Sequence, residues 1–127
     1  MNASVFDTAA LIALERGEPA MWWRLRAFVE LGSEILVPTT VIAQCWRGHA
    51  RQANLSRALE HCTIVPFDEL AREVGVLCGR TKTSDIADAH VALVTSAYEA
   101  ETLFTGDPEG LQPLLDACGG RAVLFEC

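Results

Sequence analysis

The chain has 127 residues, half of them hydrophobic, and a net charge of −7 from ten basic against seventeen acidic side chains. That length suits one domain with a sizeable core, and a mean hydropathy of +0.21 excludes intrinsic disorder, the state of chains with too little apolar surface to offset their ordering entropy. No apolar run approaches the roughly 20 residues that span a bilayer. An acidic balance also excludes an ordinary basic duplex-DNA binder, unless bound metal or a local basic patch reverses the sign.

Residues 1–7 carry no basic region ahead of their apolar run, so they read as a first strand, Ser4-Val5-Phe6, and not as a secretion signal. The five cysteines are odd in number and form no C-x-x-C pair, as expected of reduced thiols in a cytosolic protein. His49, His61 and His90 do not supply zinc-type spacing either. Helices are expected over 8–16 and 18–31, the second with an apolar stripe at Met21/Trp22, Leu25 and Phe28/Val29. Trp22 on that stripe reads as core; Trp23 lies off it, where a contact with a partner protein suits it better.

A second strand, 34–37, leads to helices over 39–48 and 50–61. Then come a strand at 63–65, helices over 68–80 and 85–98, a strand at 102–105, a helix over 108–117 and a last strand at 122–125. Gly17, Gly32 and Gly119-Gly120 sit just past helix ends, where a left-handed cap favours glycine. Short apolar strands alternating with helices predict a single domain over 1–127. Its architecture is a three-layer αβα sandwich with a mainly parallel, roughly five-stranded sheet covered on both faces. Ligands of such sheets bind beyond the carboxyl ends of the strands.

Two strands end alike, Val5-Phe6-Asp7-Thr8 and Phe104-Thr105-Gly106-Asp107-Pro108. Asp is a favoured N-cap, so capping explains Asp7 and Asp107 as readily as chemistry does. Asp88 is different. The segment from Ser84 to Val94 is apolar on almost every side after its start, the pattern of a buried helix. Asp85 falls in its first turn, and Asp88 is expected one turn deeper, where capping does not reach and a buried carboxylate needs a partner. Asp85 and Asp88, at i and i+3, share a helical face. Carboxylates converging at one sheet edge repel one another, which Mg²⁺ or Mn²⁺ would relieve while activating water and stabilising charge on a phosphate.

In this order the motifs resemble the PIN domain, and most closely the VapC-type toxin nucleases of bacterial toxin–antitoxin pairs. The resemblance spans the chain and rests on four segments. They are Val5–Leu14, Val37-Pro38 leading to Ile42-Ala43-Gln44-Cys45-Trp46-Arg47-Gly48, Asp85–Ala92 and Leu103–Asp107. It implies a metal-dependent endoribonuclease that hydrolyses RNA to leave 5′-phosphates, a homodimer, and a cognate antitoxin whose C-terminal segment covers the site. Asp7, Asp88 and Asp107 resemble three of the family carboxylates, and Asp85 an extra acidic position of some members. The departure is Gln44, where most members place glutamate. A carboxamide can ligate metal without adding charge, so weaker metal binding or compensation by Asp85 is expected.

The one basic zone follows directly: Arg47, Arg51 and Arg57 with no acid between them. A continuous helix would put Arg47 and Arg51 on one face beside the site, ready for phosphate, although Gly48 is a candidate break; a solvated face is the plainer reading. Thr8 and Thr105 have two possible roles, hydrogen-bonding to metal-bound water or RNA, or capping. His90 reads as a structural histidine with a hydrogen-bond partner. A haloacid-dehalogenase-type phosphatase is disfavoured by Ala9 where it requires a second Asp. A receiver domain is disfavoured because Asp68 lacks the acidic pair and late lysine. The remaining alternative is a PIN fold that binds RNA or antitoxin without cleaving.

Overall fold

The computed structural model describes residues 2–127. The elements run β1 (Ala3–Phe6), α1 (Thr8–Glu15), α2 (Pro19–Leu31), β2 (Glu34–Pro38), α3 (Thr39–Cys45), α4 (Ala53–Leu59) and β3 (Thr63–Val65). They continue with α5 (Ala71–Thr81), α6 (Ile86–Ala97), β4 (Thr102–Thr105), α7 (Pro108–Ala117) and β5 (Val123–Glu126). Short 3₁₀ turns, Ala50–Gln52 and Asp68–Leu70, precede α4 and α5.

All strand pairings are parallel, in the order β3-β2-β1-β4-β5. Helices cover both faces, giving the expected three-layer PIN-like sandwich: α1 packs over β1 and β4, α6 over β1 and β2, with α2 and α4 beside α1 and α5 and α7 beside α6. The order reverses at β1: the chain moves outward through β2 and β3, then returns to add β4 on the other side. In register, Phe6 pairs with Phe104, and the Asp7 N–H donates to the Phe104 carbonyl at 2.9 Å. The residues after β1 and β4 therefore emerge side by side at the topological switch point, the usual ligand crevice of such sheets.

The inner strands are buried, whereas β3 and β5 are edges that leave Ile64, Val123 and Phe125 exposed; coverage on both faces holds only for the three central strands. On α2, Met21 and Leu25 are buried as the stripe predicts, but Val29 is 43% exposed because the helix rolls that flank towards solvent. Trp22 packs against the core and its Nε1 donates to the Leu14 carbonyl at 2.9 Å, while Trp23 stands 70% exposed. Helix α6 is nearly enclosed from Ala89 through Thr95, apart from Leu93. Among the described residues no helix is long and apolar enough to cross a membrane.

Two helix expectations fail in one place. The helix expected over 39–48 ends at Cys45, where Trp46 turns extended and Gly48 takes the left-handed φ of +75°. The segment over 50–61 is a 3₁₀ turn followed by the seven residues of α4. Arg47 and Arg51 consequently share no helical face.

Candidate active site

Asp7, Thr8, Gln44, Arg47, Asp88 and Asp107 line one open cleft of about 620 Å³ at the carboxyl edge of the sheet, with Ala9, Ile12 and Gly106 completing the wall. Each carboxylate reaches it by a different route. Asp7 caps α1, is almost buried, and is gripped at both oxygens: Oδ1 accepts from the Thr8 N–H at 2.7 Å and Oδ2 from the Thr105 hydroxyl at 2.8 Å. Asp107 caps α7, accepting from the Gly110 N–H at 3.1 Å. A Cβ on Gly110 would collide with that carboxylate, so the cap requires glycine there. Asp88 projects from α6. Capping and placement at the cleft coexist in Asp7 and Asp107.

Thr105 is fully buried, so direct contact with RNA is closed to it. Its hydroxyl instead joins the two strand ends, donating to Asp7 while accepting from the Asp107 N–H at 3.1 Å. Thr8 does line the cleft, and its hydroxyl donates to Gln44 Oε1 at 2.5 Å. That bond aims an exposed carboxamide along the cleft wall. Arg47 is the single cation in the lining, and its guanidinium donates to the carbonyls of Ala43 (3.3 Å) and Trp46 (2.8 Å). Arg51 is exposed on the 3₁₀ turn, away from the lining.

The acidic pair on α6 differs from the sequence expectation. The helix starts at Ile86, so Asp85 is the N-cap and accepts from the Asp88 N–H at 3.0 Å, and Asp88 lies within the first turn and is only partly buried. Asp85 stays exposed outside the lining, yet its charge reaches Asp88. Burial, then the charges of Asp85, Asp7 and Asp107, push the Asp88 carboxyl up from 3.8 to about 7. Burial and gathered negative charge act in the same direction here.

His90, one residue beyond Ala89, faces the core. It is fully buried, its Nδ1 pairs with the Thr40 hydroxyl at 2.8 Å, its ring meets Phe67 edge-on, and burial lowers its pKa. Its Nε2 has no partner among the described residues. It is the structural histidine expected, satisfied at one nitrogen only.

Hard oxygen donors around an uncompensated charge suit Mg²⁺ or Mn²⁺ in kind. They do not stand as a finished cage: among the described residues no three acidic, histidine or cysteine side chains are grouped closely enough to hold an ion. Sequence reasoning missed Gln52, a buried glutamine beneath the Arg47 loop. Its polar identity alone carried no signal, since only the fold shows it enclosed.

No family model matches the chain, and no curated protein does. Among solved structures, a chain in the crystal structure of VapBC2 from Rickettsia felis bound to a DNA fragment from their promoter is similar. It is 14% identical, with a TM-score of 0.69 over 98% of both chains. That likeness shows the fold, the three-layer PIN-like architecture expected from the sequence.

Proposed function

We propose that this chain is the toxin of a toxin–antitoxin pair: a PIN-domain endoribonuclease of the VapC type, dependent on Mg²⁺ or Mn²⁺, cytosolic, homodimeric and silenced by a cognate antitoxin. The observation that carries the reading is the meeting of Asp7, Asp88 and Asp107 in one cleft, with Asp88 raised to about 7 by burial and then by its acidic neighbours. One solved structure with this fold is a VapBC2 assembly, which supports an antitoxin partner.

On this reading Asp7, Asp88 and Asp107 hold the cation, and Asp85 strengthens the local field from outside the first ring of ligands. A bound divalent ion supplies positive charge to the scissile phosphate and lowers the pKa of a coordinated water. The chain's own residues do the rest. Thr105 and the Thr8 N–H fix the Asp7 carboxylate, so it need not reorganise on binding. Gln44, with Oε1 taken by Thr8, keeps its amide N–H groups for substrate or metal-bound water. Arg47 offers the remaining guanidinium donors to a phosphate of the RNA.

The test is cleavage of total RNA with Mg²⁺ or Mn²⁺, wild type against Asp7→Asn. Metal-dependent cleavage by the wild type, abolished in the variant, is expected; equal cleavage by both, or none by either with any metal, sinks the catalytic assignment. A second reading, RNA or antitoxin binding without cleavage, draws on Gln44 and on the unfinished cage. RNA retained intact by the wild type would select it.

A further inference from the structure

Gln52 is 2% exposed and uses its whole hydrogen-bonding capacity. Its Oε1 accepts from two successive backbone groups, Arg47 N–H at 2.8 Å and Gly48 N–H at 2.9 Å. Its Nε2 donates to the Cys45 carbonyl, the last of α3, at 2.8 Å and to Glu15 Oε1 at the end of α1 at 2.7 Å. One buried side chain therefore clamps the segment where α3 stops, and ties it to α1, the helix that Asp7 caps.

The clamped segment matters because of what it carries. The cleft lining holds three carboxylates and one cation, Arg47, in a chain of net charge −7. Arg47 hangs from a non-helical backbone, which by itself has no fixed direction after Cys45. Two features set that direction: the Gln52 oxygen drawing both N–H groups inward, and Gly48 in the left-handed region that a side chain rarely enters.

We propose that Gln52 is a positioning residue that holds Arg47 at the cleft as its phosphate-gripping cation. The inference rests on the RNA-cleaving reading for its substrate class, but it makes a separate prediction. It concerns binding electrostatics, not the chemical step.

The experiment uses a labelled single-stranded RNA oligonucleotide with Mn²⁺ across a salt series, reading KM where the protein cleaves and Kd where it only binds. Arg47→Ala is expected to weaken RNA binding several-fold and to lower the slope of log affinity against log salt by about 0.7, the value of one phosphate contact on a single strand. Gln52→Leu should reproduce both changes with kcat unaltered, and adding it to Arg47→Ala should cause no further loss. If Gln52→Leu does not fold, Gly48→Ala carries the test by disturbing the loop without emptying the core, and it should lower the slope in the same way.

A folded Gln52→Leu with the wild-type salt slope, or losses that add in the double variant, overturns the proposal and leaves the nuclease reading intact. RNA bound through Arg47 and Gln52 without cleavage supports the proposal and removes the nuclease reading. If the wild type neither binds nor cleaves RNA, both fall.

Discussion

Asp88→Asn isolates the cost of concentrating carboxylates at the cleft. The folded protein raises this carboxyl from 3.8 to about 7 through burial and the charges of Asp85, Asp7 and Asp107. With a folded value above the unfolded one, the associated stability is fully present below pH 3.8 and is lost as pH rises through about 7. Unscreened, that interval corresponds to roughly 4 kcal/mol. The side chain is partly open to solvent, which reduces the figure to about 1–2 kcal/mol. Against it stands the first-turn position on α6, where a carboxylate gains about 0.3–1 kcal/mol from the helix dipole. In EDTA at pH 8, Asp88→Asn should therefore be more stable than wild type by about 1 kcal/mol, or about 3–5 °C in Tm for a domain of this size. At pH 4 the two should melt together. Millimolar Mn²⁺ should invert the order at pH 8, stabilising wild type by about 2.7 kcal/mol at a hundred times its Kd and the variant less. Thermal melts at both pH values, with and without metal, decide the matter. Parallel pH profiles for the two proteins would refute the charge-repulsion account, and a wild-type Tm indifferent to metal would refute a cation site built on Asp88.

Three other outcomes are expected. Thr105→Val leaves Asp7 and the Asp107 N–H without their shared hydroxyl, so it should cost about 1–3 kcal/mol in denaturant titration and most of the cleavage activity, with Thr105→Ser restoring both. Gly110→Ala should separate stability from activity. The alanine gains about 1 kcal/mol of helix propensity while displacing a cap worth about as much, so Tm should barely move while RNA cleavage falls with the misplaced Asp107; unchanged cleavage would mean that Asp107 is only a cap. Gln44→Glu adds a charge beside Asp7 and Asp88, and isothermal titration should show tighter Mn²⁺ binding with lower apo stability at pH 8.

Much of the fold was legible because its elements are local. Apolar runs of β-formers at the right lengths, helices punctuated by Gly17, Gly32 and Gly119, and acids following two strands are all written in neighbouring residues. The carboxyl ends of β1 and β4 are marked by the sequence itself, since parallel sheets put their ligand crevice there. Where the sequence misled, the competing effect was non-local or depended on one residue's offset. Asp88 was expected beyond capping, but the helix begins one residue later than expected, because Asp85 serves as the cap and leaves Asp88 in the first turn. The helix expected over 39–48 ends three residues early, where Gln52 satisfies the N–H groups that a further turn would have used.

The local sequence determined the alternation of strands and helices, the acids that cap two of those helices, and the departure at Gln44, since each depends on residues a few positions apart. Tertiary structure alone decided three things. The strand order sets β1 beside β4, so that Asp7 and Asp107, a hundred residues apart, share Thr105 between them. Packing encloses Thr105 and Gln52, which turns two ordinary polar residues into the supports of the cleft. And burial, together with the charges of Asp7 and Asp107 brought in from two strand ends, raises Asp88 towards neutrality beyond what its neighbour Asp85 does from the same helix start.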